Sequence, residues 1–157
     1  EHIALNQWRG DHRILPGGAY AFFYSADESL VARTRDALAA ASGLTVIAPQ
    51  NFEALLNFPQ RGSRIPNLVA VADAPRYIGF KRGKGRKPPR GAHGYLPQNT
   101  PTMMGVFYAS GPRIPAQTRL DVMENVHIYP LVLDLLNIEN ESAIDGDASV
   151  LVPHLSD

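Results

Sequence analysis

The 157-residue chain has the size and composition of a globular domain, with 45% hydrophobic and 19% charged residues and no run approaching the ~20 apolar residues of a membrane span. Fifteen basic residues balance fifteen acidic ones, so the chain has no overall field that would attract a nucleic acid polymer or an anionic membrane. The lack of cysteine excludes disulfides and thiolate metal sites, so a metal would need His, Asp or Glu ligands.

Strand-like and helix-like segments alternate in the first part of the chain. Residues 19–24, "AYAFFY", form a short apolar run typical of a buried strand. The spacing of Ser25 and Glu28 predicts a capping box, and Gly43 stands where a helix commonly ends. One face of this helix carries Leu30, Thr34, Leu38 and Ala41. Residues 44–48, "LTVIA", then predict a second strand.

The same alternation continues to the end of the chain. Residues 51–58 predict a short helix, and residues 67–73, "NLVAVAD", a third buried strand. Residues 76–80 predict a fourth strand, in a hairpin with the third. A further strand over 103–109 and a helix over 125–137 follow. This order of elements predicts an α/β layered domain.

Residues 81–90 form a basic segment, "KRGKGRKPPR", with six Lys or Arg among Gly and Pro. Such a segment could contact phosphate groups or a polynucleotide. It contains no aromatic side chain on which a base could stack, which favours a solvated loop. We expect it to be poorly ordered, because Gly, Pro and like charges bury little surface.

Two segments carry a resemblance to a known family. They are "RGAHGYLPQNTPTMMGVFYASGP" and "ENVHIYPLVLDLLNI". An H-G-Y turn, a Met shortly after it, an A-x-G-P strand end and an N-V-x-x-Y-x-L-x-x-x-L-L helix follow one another in this order. The pattern resembles the C-terminal part of type I phosphodiesterases/nucleotide pyrophosphatases, in the alkaline phosphatase superfamily. The resemblance covers at least residues 60–138 and runs, more weakly, over the whole length of the chain.

The resemblance implies an alkaline-phosphatase-like α/β fold and hydrolysis of phosphodiester or pyrophosphate bonds in nucleotides or related small molecules. It also implies two zinc ions and a Thr or Ser nucleophile. The histidine of the H-G-Y turn, a zinc ligand in the family, corresponds to His93. Gly91 and Gly94 flank this residue, and glycines permit a tight turn and a close approach to a ligand. Imidazole and carboxylate groups suit zinc.

The family's nucleophile and its other metal ligands lie N-terminal to the part that aligns here. We therefore expect residues 1–157 to form a single domain that is the C-terminal portion of a larger catalytic domain, inactive alone and with the N-terminal portion as its partner. Asp11-His12 resembles the family's Asp-His zinc pair, but Arg13 follows it instead of Gly. A surface salt bridge or polar loop is the preferred interpretation of that pair.

Other residues near the motifs are interpreted as structural. We expect His2, His12, His127 and His154 to be structural or exposed. Tyr95 is expected to pack beneath the turn rather than contact substrate. Family members often carry Asp-Asn where this chain has Leu96-Pro97, so a carboxylate that could orient the histidine is absent there.

Two alternatives to a phosphodiesterase remain open. One is a phosphomonoester or phosphonate hydrolase of the same superfamily. The other is a non-catalytic α/β module that binds phosphorylated ligands or a partner through residues 81–90. The predicted ligand is a small phosphodiester or nucleotide. The resemblance favours a periplasmic or secreted protein, although the residues themselves do not identify a compartment.

Overall fold

The computed structural model describes residues 2–8, 12–58, 62, 64–80 and 91–156. Contacts divide the chain into two compact units, Glu1–Gly105 and Val106–Asp157. Within the described residues, no helix is both long enough and apolar enough to cross a membrane. Such a division occurs both within one domain and between two domains. The single domain over residues 1–157 therefore stays a prediction.

The described residues of the first unit form six strands in two sheets. The strands are β1 (His2–Ala4), β2 (Arg13–Pro16), β3 (Tyr20–Tyr24), β4 (Leu44–Ile47), β5 (Leu68–Ala72) and β6 (Tyr77–Gly79). Four of them form an antiparallel sheet in the order β2-β3-β5-β4, while β1 and β6 form a parallel pair. The strands predicted over 19–24, 44–48, 67–73 and 76–80 are therefore confirmed.

The predicted hairpin between β5 and β6 is wrong. β5 pairs with β3 along one edge and with β4 along the other, with Ala70 opposite both Ala21 and Val46. Because both edges of β5 already carry hydrogen-bonded neighbours, β6 cannot pair with it. β6 pairs instead with β1, where His2 lies opposite Tyr77.

Two helices of the first unit, α1 (Glu28–Ala39) and α2 (Phe52–Leu56), confirm the predicted helices. The predicted capping box is wrong, because the N-cap of α1 is Asp27 and not Ser25. One carboxylate oxygen of Asp27 accepts hydrogen bonds from the backbone N–H groups of Ser29 and Leu30. The Ser25 hydroxyl accepts from the Asp27 N–H, which shapes the turn before the helix.

The antiparallel sheet carries a hydrophobic cluster on each face. Phe23 of β3 and Leu38 of α1 belong to one cluster, which also contains Trp8 and Ile78. Phe22, the neighbour of Phe23 in sequence, packs against the second cluster, which includes Phe52 of α2. Alternate side chains of a strand point to opposite faces, so α1 covers one face and α2 the other. This arrangement confirms the predicted α/β layers.

The second unit contains helix α3 (Ile128–Leu135), preceded by a 3-10 turn at Asn125–His127. Both fall inside the helix predicted over 125–137. Arg113 forms a salt bridge with Asp134 of α3, with 3.0 Å between Nη1 and Oδ2. Its guanidinium also donates to the carbonyl oxygens of Asp134 and Ser156. Arg113 thereby connects a loop, α3 and the C-terminal segment within this unit.

The strand predicted over 103–109 is wrong. A 3-10 turn at Pro101–Met103 is followed by a segment without regular structure. The side chains of Val106 and Tyr108 are 77% and 90% exposed. No described strand pairs with this segment, and a strand needs a neighbour to satisfy its backbone hydrogen-bonding groups. The strand-like run over residues 103–109 therefore does not form a strand within the described residues.

Candidate functional site

His93 lies in a turn, residues 91–96, that contains no regular secondary structure. Its side chain is exposed, whereas the residues after it are held by the first unit. Gly94 has φ +86°, and a Cβ atom there would stand 2.6 Å from Cδ1 of the Tyr20 ring on β3. Only glycine accepts both this backbone conformation and this close approach without strain. The ring of Tyr20 thus fixes the backbone next to His93.

The two residues after Gly94 secure the turn further. The Tyr95 hydroxyl donates a hydrogen bond of 2.7 Å to the carbonyl oxygen of Arg76. Tyr95 also packs against the cluster that contains Phe23, as predicted, while Leu96 is buried in the cluster that contains Phe52. His93 therefore presents an accessible imidazole from a turn whose backbone is anchored. That arrangement suits a metal ligand, because the ring can face an ion while its backbone stays in place.

The described residues do not complete a zinc site. No group of three or more His, Cys, Asp or Glu side chains among them is placed to hold a metal ion. A catalytic zinc needs about three protein ligands, and His93 can supply one. No reaction step through zinc can therefore be assigned to the described residues, and the role of His93 as a ligand stays a prediction.

His12 is buried in the core, which confirms the structural role expected for it. The expectation of a surface salt bridge or polar loop is wrong for this residue. Its Nε2 lies 2.7 Å from the hydroxyl oxygen of Thr34 on α1. Its ring meets the ring of Phe23 edge to face, with 5.9 Å between the centroids. His12 directly precedes β2, so its imidazole connects the start of this strand to α1 within the hydrophobic cluster. Asp11 lies outside the described residues.

The other histidines make local structural contacts or are exposed. His2 stacks on Tyr77, with 4.6 Å between ring centroids, and its Nε2 lies 3.1 Å from the carbonyl oxygen of Gly79. In the second unit, Nδ1 of His127 accepts a hydrogen bond from the backbone N–H of Asp147. His154 is exposed. These placements agree with the structural or exposed roles that we predicted.

The basic segment 81–90 lies outside the described residues. Its predicted poor order and its possible contact with phosphate groups therefore stay predictions.

A cavity of about 180 Å³ in the first unit was not predicted from the sequence. Its polar lining consists of Thr45, Asp73, Asn99 and Thr100. Asp73 follows directly after the buried strand β5, and a carboxylate at the end of a buried strand is a signal that could have indicated the cavity. Leu96, the last residue of the His93 turn, also lines the cavity. Asn99 and Thr100 follow this turn closely in sequence.

Comparison with known proteins identifies similar structures. The chain matches no family model and no curated protein sequence. It is similar to the structure of human ectonucleotide pyrophosphatase/phosphodiesterase 5, with 25% identity and a TM-score of 0.79. The murine protein gives 24% identity and a TM-score of 0.77, and its inactive form in complex with AMP gives 24% and 0.76. Each match covers 99% of this chain and 41% of the other chain.

These matches confirm the resemblance to type I phosphodiesterases/nucleotide pyrophosphatases and the alkaline-phosphatase-like α/β fold that it implies. The likeness extends over nearly the whole chain, which agrees with the weaker resemblance outside residues 60–138. The chain spans about two fifths of the length of these relatives.

Proposed function

We propose that this chain is part of a zinc-dependent hydrolase that cleaves phosphodiester or pyrophosphate bonds in nucleotides or related small molecules. The observation that supports this proposal most strongly is the likeness over 99% of the chain to human ectonucleotide pyrophosphatase/phosphodiesterase 5, at a TM-score of 0.79. The name of that protein states both activities. Two zinc ions, when bound, would stabilise the charge that develops on the phosphoryl oxygens and activate the nucleophile.

His93 is the residue of this chain that we assign to zinc. Its imidazole is exposed on the turn that Gly94, Tyr95 and Leu96 anchor. A neutral imidazole binds zinc through one ring nitrogen, and an anchored backbone limits the loss of freedom on binding. The remaining ligands and the nucleophile belong, in this proposal, to the N-terminal portion of the same protein. The 157 residues alone should then hydrolyse no phosphodiester.

The experiment compares the complete zinc-loaded protein with its His93→Ala variant. We expect the variant to lose at least one zinc ion per chain and about 100-fold or more of its phosphodiesterase turnover, because one coordination shell becomes incomplete. Zinc is measured by mass spectrometry and turnover with a chromogenic phosphodiester. Circular dichroism should stay unchanged, and thermal unfolding of the metal-free proteins should be the same for the variant and the parent, so that a lower melting temperature of the zinc-loaded variant reports the lost zinc.

His154→Ala provides the matched control, because it also removes an exposed imidazole. It should keep both zinc ions and full turnover. If His93→Ala also keeps two zinc ions and near-normal turnover, the assignment of His93 is wrong. Chelator-sensitive turnover by the pure 157-residue chain would contradict the proposal that the nucleophile lies elsewhere.

A substrate panel distinguishes the neighbouring activities. The complete protein could release phosphate from monoesters or phosphonates faster than it cleaves diesters. It would then be a phosphomonoester or phosphonate hydrolase of the same superfamily and not a phosphodiesterase. A complete protein that turns over none of them, yet binds phosphorylated ligands through residues 81–90, would instead be a non-catalytic module.

A further inference from the structure

The second unit, Val106–Asp157, buries few side chains. Among its described residues, 106–156, the buried side chains are those of Pro130, Leu131 and Leu151. Twelve large hydrophobic side chains are exposed among the described residues of the whole chain, and nine of them follow Gly105. Folding depends mainly on the burial of apolar surface, and these residues bury little of theirs. The second unit therefore needs a further apolar surface to pack against.

Helix α3 shows this incomplete burial most clearly. Its sequence, "IYPLVLDL", contains one charged residue, Asp134. A helix that is apolar on all sides is normally buried, but Tyr129, Val132 and Leu136 are 54%, 41% and 61% exposed. Leu136 follows directly after the helix and keeps a helical backbone conformation. These three residues form the α3 stripe.

The α3 stripe occupies one face of the helix. Its members are three and four residues apart, a spacing that places side chains one above another. By the same helical period, the buried residues Pro130 and Leu131 lie on the other side of α3. Asp134 lies on that side too and pairs there with Arg113. One face of α3 is therefore held within the second unit, while the stripe presents apolar surface to solvent.

We infer that the α3 stripe is the surface on which the N-terminal portion of the same protein docks, through an apolar face of its own. The identity of this partner rests on the proposed function. The matched structures support it, because the chain covers 41% of each, so most of such a protein lies outside these residues. The stripe contains no charge, and Glu139 and Glu141 follow it, so an anionic lipid or a nucleic acid would be repelled.

The test is photo-cross-linking of the complete protein with p-benzoylphenylalanine in place of Tyr129. This side chain keeps an aromatic ring in the stripe and reacts, on irradiation, with C–H groups that contact it. We expect an intramolecular product in which mass spectrometry of the peptides links residue 129 to a segment N-terminal to Glu1. The same replacement at Ser142, an exposed residue of the acidic segment 139–147, should give no such link.

Cysteine labelling of the complete protein gives a second readout. Val132→Cys places a thiol in the stripe with little change of volume, and Ser142→Cys is the matched control at an exposed position. Maleimide should label Val132→Cys about 100-fold more slowly than Ser142→Cys, since a covered side chain reacts only after local opening. In urea the two rates should be equal. Peptide mapping assigns the label to its position.

The outcomes separate the docking partners. A cross-linked dimer, or protection of Val132→Cys that is lost on dilution, would assign the stripe to a second copy and overturn the inference. It is also overturned if residue 129 gives no link to the N-terminal portion, or if Val132→Cys reacts as fast as Ser142→Cys. Neither readout needs turnover, so a complete protein that gives the expected link but hydrolyses nothing contradicts the proposed function alone.

Discussion

The hydroxyl of Tyr95 donates a 2.7 Å hydrogen bond to the carbonyl oxygen of Arg76, nineteen residues earlier in the chain. This bond connects the turn that carries His93 to the segment that leads into β6. Residues 81–90 separate the two partners in sequence. The bond therefore fixes the position of the turn by a route that does not pass through the basic segment.

Tyr95→Phe should lower the free energy of unfolding by about 1 kcal/mol, because it removes this hydrogen bond and retains the ring. Urea unfolding of the chain measures the change. Tyr108→Phe is the matched control, since Tyr108 is 90% exposed and loses nothing comparable. Equal stability of the two variants would show that the hydrogen bond contributes nothing.

Gly94→Ala should destabilise the first unit by roughly 2 kcal/mol or more, since its φ of +86° and the nearby Tyr20 ring both oppose a Cβ atom. Gly91→Ala provides the control, because no heavy atom lies within 4 Å of the Cβ that it would add. Thermal unfolding compares the two. A Gly94→Ala protein as stable as Gly91→Ala would mean that the Tyr20 ring moves aside freely.

Thr34→Val should cost about 1–3 kcal/mol of stability, because the buried His12 ring then loses the hydroxyl that contacts its Nε2. Valine has nearly the same shape as threonine, so the effect reports on the hydrogen bond more than on packing. Thr102→Val, at an exposed position, should change stability little. Denaturant unfolding measures the free energy of unfolding of both variants. If Thr34→Val leaves this free energy unchanged, the bond between His12 and Thr34 contributes nothing to stability.

The N-cap of α1 should give a pH-dependent contribution to stability. The Ser29 hydroxyl, followed by the N–H of Leu30, donates to the Asp27 carboxylate and holds the pKa of that group below its ordinary value of 3.8. Because the folded pKa is the lower one, the contribution is complete above pH 3.8 and disappears as the pH falls through the folded pKa.

Asp27→Ala tests this contribution. Its stability deficit relative to the parent chain should be constant near neutral pH and shrink below pH 3.8. Unfolding curves at several pH values measure it, and Asp27→Asn, which keeps an acceptor oxygen, should show a smaller deficit. A deficit that grows on acidification would contradict the assigned cap.

The buried strands were predictable because they are short apolar runs between turn-forming residues. Residues 68–72 are buried at every position, and the sequence shows this as an unbroken "LVAVA". Their neighbours in the sheet were not predictable, because pairing of Ala70 with both Ala21 and Val46 joins parts of the chain far apart in sequence. The same limit explains the wrong hairpin between β5 and β6.

The wrongly predicted capping box depends on local hydrogen bonds at the start of α1. Ser25 and Asp27 are both good N-cap residues, and in the structure the Asp27 carboxylate accepts from the N–H groups of Ser29 and Leu30. For the candidate site, the H-G-Y turn indicated His93, but the anchoring by Tyr20 and Arg76 depends on tertiary contacts. The cavity lined by Asp73 and Thr100 needs three separate segments of chain, so the carboxylate after β5 is the local signal for it and the other two walls depend on tertiary contacts.

The position of β5 between β3 and β4 also sets the order in which the sheet can assemble during synthesis. β3, α1 and β4 leave the ribosome before β5, yet β3 and β4 make no hydrogen bonds to each other. Among the described strands, β3 has only β2 as a partner until residues 68–72 emerge, and the edge of β4 that later pairs with β5 has none. The nascent chain should therefore be most exposed to aggregation or chaperone binding in the interval before β5 inserts.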